Sequence, residues 1–322
     1  MKKALIVGIN NYSMSPLHGC INDAEAFANI IATNEDGSPN FDVKLKTDVP
    51  TKSELRGLIK ELFKSDDDIA LFYFSGHGFI NELGGYIVAP DYRKNDEGIW
   101  MDEILTIANE SEAKNRIIIL DSCHSGALGS PQLTGGKSAI IAEGVSILTA
   151  SMDDQTALEI NGHGVFTNLL LEALQGRAAY LNGHITPGSI YAYIDQALGA
   201  WGQRPVFKTN ITQFTTLRTV KTQIPLDTIR KMTEYFKDPA EYYRLDPSYE
   251  DTNNPQTEHK VIKPYTKPEH VAIFKNLQEL QSVGLVEPVD EQYMYFAAMH
   301  KKACKLTNLG CYYWELVKNK RI

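Results

Sequence analysis

The sequence predicts an α/β fold: a mostly parallel β-sheet flanked by helices, followed by a small α+β module. Over the first two-thirds of the chain, apolar runs of strand length alternate with segments of helical periodicity. Several runs are apolar throughout, as in strands buried on both faces. Five of the fourteen prolines lie in residues 238–270, which indicates an irregular linker there. We therefore expect one domain over residues 1–218 and a second over 219–322.

The overall composition is that of an ordinary globular protein, with 43% hydrophobic and 22% charged residues. The formal net charge of −8 gives no broad attraction to nucleic acid or to an anionic membrane. No apolar run approaches the roughly 20 residues that span a bilayer. The opening "MKKALIVGINNY" indicates a first strand rather than a signal peptide, because it lacks a long apolar region and a cleavage site. Four cysteines are too few for a disulfide framework, so we expect a reducing, cytoplasmic setting.

The first elements are a strand, a helix and a second strand. Residues 3–9 are apolar enough for a buried strand. Residues 22–33 have helical spacing, and Asn22 or Asp23 lies near the start, where a side-chain oxygen can cap the helix. Residues 42–47 alternate between apolar and polar, which is typical of a strand.

The next elements continue the alternation of helices and strands. A helix begins at Thr51 or Ser53 and continues to Phe63. Its apolar residues share one face: Leu55, Leu58, Ile59, Leu62 and Phe63. Residues 68–75 form a continuous apolar strand, and residues 100–110 have the spacing of a helix.

The last elements of the first domain complete the sheet. Residues 116–121 and 144–151 are apolar strands. A helix over 165–176 ends at a glycine, which commonly terminates helices. A further helix lies within 185–202, and residues 203–210 lead to a closing strand. In sheets of this kind, functional residues collect beyond the carboxyl ends of the strands.

The second domain has a different pattern. Residues 270–286 form a helix that ends near Gly284, and "QYMYFAAM" and "CKLTNLGCYYWELVK" follow. A helix, a short extended pair and another helix would suit a winged-helix-like module. Charge also shifts, since residues 219–322 carry a net +1 and residues 1–218 a net −9.

Reactive side chains follow two of the predicted strands. His77 follows residues 68–75 between two glycines, and Cys123 follows residues 116–121. If these strands are neighbours, the thiol and the imidazole meet at one edge, as thiol nucleophilic catalysis requires. The N–H groups of Gly78 and Cys123 are then candidate oxyanion donors. His124 is a rival base, although adjacent strand side chains point to opposite faces. The plainer interpretation is a buried cysteine and a hydrogen-bonded turn histidine.

These segments resemble a known family. "SGHG", followed by "LDSCHSG", is similar to the caspase-like cysteine peptidases of clan CD (peptidase C14), closest to the metacaspase and bacterial orthocaspase branch. Five further segments agree in order over about residues 1–218: "GINNY", "LHGCINDA", "TASMDDQTALE", "GHGVFTNLLLEAL" and "GQRPVF". The resemblance implies a caspase-like fold and His77 and Cys123 as the catalytic dyad. It also implies an effector of bacterial antiphage defence or cell suicide.

The resemblance extends to an acidic specificity pocket. Asp23 and Asp121 match the metacaspase positions that form this pocket, and Ser75 matches a position lining it. Two carboxylates in a narrow pocket favour a guanidinium or an ammonium, so we expect cleavage after Arg or Lys. A helix cap at Asp23 and a structural acid at Asp121 are the alternatives. Asp153 and Asp154 suit the pocket rim and a solvated loop equally well.

The chain departs from the family where relatives hold calcium. Asp102 matches one calcium ligand, but Met101 replaces its acidic neighbour, and no acid follows Cys123 closely. Since hard cations take about 6–8 oxygen ligands, we expect no metal, no other cofactor and no dependence on calcium. Residues 129–139 lie where relatives are cut. Lys137 is therefore a candidate self-processing site, and an unprocessed loop is the alternative.

Aromatic residues are concentrated in the second domain, where nine of the sixteen tyrosines lie beyond residue 219. They suit a sensor for a small nucleotide-like signal, a docking module for a partner protein, or simply a packed core. A net +1 gives little attraction to phosphates, which argues against DNA binding. We expect a regulated cysteine endopeptidase switched on through this domain. The rival is a catalytically silent caspase-like scaffold, or a DNA- or protein-binding regulator.

Overall fold

The computed structural model describes residues 1–13, 15–81, 84–94, 96–122, 140–150, 159–160, 163–199, 205–256 and 261–322. The chain divides into two compact units, Met1–Lys221 and Thr222–Ile322. In the described part of the chain, no helix is long and apolar enough to cross a membrane.

The first unit alternates strands and helices along the chain. Its described strands are β1 (Lys2–Gly8), β2 (Asp42–Thr47), β3 (Ile69–Ser75), β4 (Gly78–Asn81), β5 (Gly84–Ile87), β6 (Ile99–Trp100), β7 (Asn115–Asp121), β8 (Val145–Thr149), β9 (Glu159–Ile160), β10 (His163–Gly164), β11 (His184–Ile185), β12 (Val206–Asn210) and β13 (Arg218–Thr219). Its described α-helices are α1 (Cys20–Ala32), α2 (Lys52–Phe63), α3 (Met101–Asn109), α4 (Val165–Glu172) and α5 (Pro187–Leu198).

A central sheet organises the first unit. Its strands lie in the order β12-β8-β7-β3-β1-β2 within the described residues. All neighbouring pairs are parallel except β12 and β8, which are antiparallel. The predicted α/β fold with a mostly parallel sheet is confirmed. β4, β5 and β6 form a separate antiparallel sheet directly after β3.

The two faces of the central sheet are covered by different helices. Phe72 and Phe74 belong to an apolar cluster with residues of α2 and α3. Leu71 and Tyr73 belong to a second cluster with residues of α1, α4 and α5. Because successive side chains of a strand point to opposite faces, a strand covered on both sides must be apolar throughout. Burying one such side chain contributes about 1.5–3 kcal/mol.

Capping groups define the start of two helices. The Thr51 side chain accepts a hydrogen bond from the Glu54 N–H and caps α2, which settles the choice between Thr51 and Ser53. Thr186 and Ser189 form a reciprocal capping box at α5. The helix predicted over 165–176 is α-helical only to Glu172. It continues as a π-helical turn that ends where Gly176 adopts a φ of 122°.

The second unit contains five short or medium helices and three strands in its described part. They are α6 (Leu226–Arg230), α7 (Met232–Tyr235), β14 (Tyr242–Arg244), α8 (Pro268–Ser282), β15 (Val286–Val289), α9 (Met294–Met299), β16 (Ala303–Leu306) and α10 (Asn308–Lys318). The strands form an antiparallel sheet in the order β14-β16-β15. After the first helix, "CKLTNLGCYYWELVK" contains most of β16, as the predicted extended pair requires, but "QYMYFAAM" contains α9, and β16 pairs instead with β15, which precedes it. The winged-helix likeness itself stays a prediction.

The segment predicted as an irregular linker at about 238–270 is irregular over most of its described length, but short regular elements lie within its bounds. Residues 242–244 form the edge strand β14, and α8 begins at Pro268. Between them the Asn253 side chain, which is 1% exposed, donates to carbonyl oxygens of Pro247, Ile262 and Pro264. Hydrogen bonds from one buried amide order this segment, and because they follow no periodic pattern, hydrophobic periodicity does not reveal that order.

Candidate active site

The candidate site lies beyond the carboxyl ends of β3 and β7. These strands are parallel neighbours, and Ser75 at the end of β3 is in register with Asp121 at the end of β7. The adjacency on which the dyad prediction depends is therefore present. His77 follows Ser75 by two positions, and Cys123 follows Asp121 by two positions. Several predicted residues lie outside the described part of the chain: Cys123, His124, Lys137, Asp153 and Asp154.

The His77 ring is held on one side by the loop after β1. Its Nε2 lies 2.7 Å from the carbonyl oxygen of Ser15. A carbonyl oxygen only accepts, so this contact places the ring proton on Nε2 and makes Nδ1 the proton-accepting atom of the neutral imidazole. The Tyr12 ring packs edge-on against the imidazole at 4.5 Å between centroids.

The Tyr12 hydroxyl also fixes the backbone around His77. It accepts a hydrogen bond from the His77 N–H at 3.1 Å and donates to the Val88 carbonyl at 3.1 Å. The Val88 N–H donates in turn to the His77 carbonyl at 2.9 Å. Burial raises the pKa of the Tyr12 phenol, which keeps it protonated as a donor. One phenol thus joins the loop after β1, the catalytic candidate and the segment after β5.

Of the two glycines that flank His77, Gly76 is required by close packing. A Cβ atom at Gly76 would lie 2.6 Å from the Tyr12 hydroxyl and 2.7 Å from the Phe74 ring, so no side chain fits there. Gly78 begins β4. Gly78 directly follows His77, and its N–H stays the predicted oxyanion donor.

Two carboxylates converge beside Gly164, on the α1 and α4 side of the sheet. Asp23, which is 2% exposed, accepts a hydrogen bond at Oδ2 from the Gly164 N–H at 3.2 Å. Asp121 Oδ2 accepts from the Thr167 hydroxyl at 2.6 Å. A Cβ atom at Gly164 would lie 3.0 Å from Asp121 Oδ2 and 3.4 Å from Asp23 Oδ2. Oδ2 of both carboxylates therefore lies close to the same point above the glycine.

Burial changes the acidity of Asp121. Burial and, less strongly, the negative charge of Asp23 raise the pKa of Asp121 to about 7, against the opposing effect of the Thr167 hydrogen bond. The Tyr73 hydroxyl lies 2.6 Å from the Thr167 oxygen. Since Thr167 donates its proton to Asp121, it accepts from Tyr73, and the two hydroxyls form a buried relay to the carboxylate.

The structure contradicts the alternative interpretation of Asp23 as a helix cap. The N-cap position of α1 is Gly19, and Asp23 lies inside the first turn with its carboxylate on Gly164. Asp121 contacts polar groups of α4 rather than merely ending a strand. Ser75, which is 2% exposed, occupies the neighbouring strand end in register with Asp121.

Comparison with known proteins identifies the first unit. The family model of the caspase domain (Peptidase_C14) matches residues 1–237, more than half of the chain. The chain belongs to the caspase domain family. The family resemblance expected from "SGHG" and "LDSCHSG" is thereby confirmed.

Individual relatives of the caspase domain are distant. Metacaspase-9 of Arabidopsis thaliana is 28% identical over 144 residues, covering 39% of this chain and 43% of the relative. The chain thus spans less than half the length of that curated relative. A solved structure from Geobacter sulfurreducens aligns with a TM-score of 0.50 and 20% identity, over 69% of this chain and all of the other. Caspase-1 of Spodoptera frugiperda aligns with a TM-score of 0.50 and 14% identity, over 68% and 90%. These structural likenesses show the fold.

Several residues of the caspase domain site were not found by sequence reasoning. They are Tyr12, Ser15, Tyr73, Gly164 and Thr167. Tyr12 ends "GINNY", and the last two lie in "GHGVFTNLLLEAL", so the motifs contained them without giving them a role. The Ser15 group is a backbone carbonyl, which leaves no trace in the choice of side chain.

A metal-binding cluster was not expected in this caspase domain. Among the described residues, no group of three or more His, Cys, Asp or Glu side chains is placed to hold a metal ion. Asp102 lies in the first turn of α3. Independence from calcium stays a prediction, which the assay below tests.

Proposed function

We propose that this chain is a cysteine endopeptidase that cleaves after arginine or lysine, with Cys123 as nucleophile and His77 as base. The observation that carries the proposal is the convergence of Asp23 and Asp121 beside Gly164. Two carboxylates on one small space favour a cation, and a guanidinium can meet both through its fork of donors. His77 and Cys123 each follow the end of one of two neighbouring strands, β3 and β7, by two positions.

The proposed reaction begins with proton transfer. His77 Nδ1 takes the proton of the Cys123 thiol, because Nε2 is held on the Ser15 carbonyl. The thiolate attacks the carbonyl carbon after the Arg or Lys residue, and the N–H groups of Gly78 and Cys123 stabilise the oxyanion. His77 then gives its proton to the leaving amine as the C–N bond breaks. Water hydrolyses the remaining thioester, which restores the thiol.

The acid pair gives a reason for selectivity in this proposal. With no cation between them, Asp121 holds a proton up to about pH 7, because burial and Asp23 raise its pKa. A bound guanidinium favours the ionised form of both carboxylates. An aspartate side chain in the same space would place a further negative charge beside the pair, so cleavage after Asp is disfavoured.

Replacing Gly164 with alanine is expected to raise KM for arginyl peptides about tenfold or more. The backbone of Gly164 (φ −62°, ψ 140°) suits alanine, so the fold is kept. The added methyl would lie 3.0 Å from Asp121 Oδ2, inside the space for the cation. Steady-state kinetics measure the change. Gly57→Ala is the matched control, because a Cβ there meets nothing within 4 Å; equal KM values in the two variants would contradict the pocket.

Replacing Tyr12 with phenylalanine is expected to lower kcat by about 10- to 100-fold, because the base is no longer held in position. The substitution leaves the His77 N–H and the Val88 carbonyl without this partner. An unsatisfied buried group also costs about 1–3 kcal/mol of unfolding free energy. Kinetics and urea unfolding test both effects. Tyr86→Phe on β5 is the control, and an unchanged kcat in Tyr12→Phe would show that the phenol does not position His77.

The deciding experiment uses the full chain and its Cys123→Ala variant. Both are incubated with coumarin peptides that end in Arg, Lys or Asp, with calcium or with a chelator. We expect release of coumarin after Arg and Lys only, in either medium, and none from Cys123→Ala. Cleavage after Asp would overturn the acidic pocket, and cleavage by Cys123→Ala would overturn the nucleophile. A requirement for calcium would overturn the expected metal independence.

Regulation belongs to the same proposal. The role in antiphage defence or cell suicide, the cytoplasmic location and the small nucleotide-like signal or partner at residues 219–322 stay predictions from the sequence. Addition of cyclic and linear oligonucleotides to the coumarin assay tests the signal, since an activator would raise the rate of the full chain.

A further inference from the structure

An apolar cavity of about 240 Å³ lies directly beside the imidazole of His77. Its lining includes Tyr12, His77, Phe79, Val88, Pro90 and Tyr92, as well as Ser13 and Ser15. Apart from the imidazole, none of its described lining residues carries an ionisable group of ordinary pKa below 9. The acid pair does not border it, so this cavity is distinct from the proposed arginine pocket.

The walls of the cavity are fixed before any ligand arrives. The Tyr12 hydroxyl joins the backbones of His77 and Val88. Phe79 packs edge-on against Tyr92 at 6.3 Å between ring centroids. β4 and β5 pair as an antiparallel hairpin behind Phe79. A preformed apolar site binds an apolar group without a cost for ordering its own side chains.

The cavity and the acid pair lie on opposite faces of the central sheet. Tyr12, Phe79 and Val88 pack with the cluster of α2 and α3 on one face of the sheet. Thr167, which holds Asp121, lies on α4 on the other face. In the proposed mechanism the Arg or Lys side chain enters the space at the acid pair, and the leaving amine must meet His77 to take its proton. A substrate bound in this way has its next residue beside the imidazole, where the cavity lies.

We propose that this cavity binds the side chain of the substrate residue immediately after the scissile bond, and that it selects leucine, methionine or phenylalanine there. The inference rests on the proposed endopeptidase function. A dry apolar cavity of about 150 Å³ suffices to bind benzene, so 240 Å³ accommodates one such side chain. A carboxylate or an ammonium would lose hydration there without gaining an ion pair with an Asp, Glu, Lys or Arg side chain among the described lining residues.

Internally quenched peptides that differ only in the residue after Arg test the inference. We expect kcat/KM for Leu and Phe to exceed that for Gly, Asp and Lys by about 10-fold or more. The Leu-to-Gly ratio is the readout, because it does not depend on the fraction of active enzyme. A coumarin peptide ending in Arg, which has no residue after the scissile bond, reports the basal reaction.

Variants locate the selectivity. Phe79→Ala and, at the exposed rim, Tyr92→Ala are expected to bring the Leu-to-Gly ratio close to 1. Ile80→Ala is the matched control, because Ile80 is the next residue on β4, is exposed and does not line the cavity. A ratio near 1 in the unmodified chain, or equal ratios in Phe79→Ala and Ile80→Ala, would overturn the inference while coumarin release upholds the endopeptidase. Absence of coumarin release as well, both without and with the added oligonucleotides, would overturn the proposed function and this inference with it.

Discussion

Replacing Asp121 with asparagine is expected to lower kcat/KM for arginyl peptides by about 10²- to 10³-fold. Asparagine has the same shape and can accept the Thr167 hydrogen bond, so the pocket keeps its geometry. It removes one of the two charges that face the guanidinium. Breaking a buried ion pair by removing one partner typically costs about 3–5 kcal/mol, and about 1.4 kcal/mol is tenfold in rate.

Kinetics with peptides ending in Arg and in alanine separate specificity from general damage. The arginyl rate should fall, and the weak alanyl rate should persist. Asp42→Asn is the control for loss of one negative charge, because Asp42 is exposed at the start of β2. If Asp121→Asn kept the arginyl kcat/KM of the unmodified chain, the acid pair would have no part in specificity.

The same Asp121→Asn variant is expected to be more stable than the unmodified chain at pH 8, by about 2–4 kcal/mol of unfolding free energy. Burial and the charge of Asp23 raise the pKa of Asp121 to about 7, whereas an unfolded aspartate has a pKa of about 3.9. Between these values the folded chain binds a proton that the unfolded chain has released. The contribution of Asp121 to stability therefore falls as pH rises from about 4 to 7. Asparagine does not ionise, so it escapes this loss.

Urea unfolding at pH 4, 5.5, 7 and 8 measures the difference between the two chains. The difference should be small at pH 4, grow up to about pH 7 and then stay constant, because other groups titrate alike in both chains. Thr167→Val is a control of opposite sign, since it removes a hydrogen bond to the carboxylate and should destabilise the chain at pH 8. A difference that is the same at pH 4 and pH 8 would show that Asp121 is ionised normally.

These two effects have one physical origin. A site that holds two carboxylates close together, without a cation between them, is unfavourable for the folded chain and favourable for a cationic ligand. Gly164 contributes by having no side chain, because a methyl there would fill the space between Asp23 and Asp121. The proposed selectivity for Arg and Lys therefore comes at the expense of the free energy of unfolding, because both depend on two carboxylates held close together without a cation.

The sequence by itself determined the six strands of the central sheet, most of the longer helices and the edge where His77 lies. Apolar runs such as residues 69–75 report burial on both faces, and that information is local. The motifs before and after β7 determined the family, which the match over residues 1–237 confirms. Hydrophobic periodicity did not reveal the order of residues 242–256, because a segment held by the buried Asn253 has no repeating sequence pattern.

Only the tertiary structure decided which groups face each other within the site. Asp23 meets the N–H of Gly164 across 141 positions of the chain, and His77 meets the Ser15 carbonyl across 62. The cavity beside His77 joins the loop after β1 to the hairpin of β4 and β5. Such contacts depend on the order of strands in the sheet and on backbone groups that every residue carries. Residue types and their spacing therefore predict the edge at which the chemistry occurs, and the packing of the sheet sets its geometry.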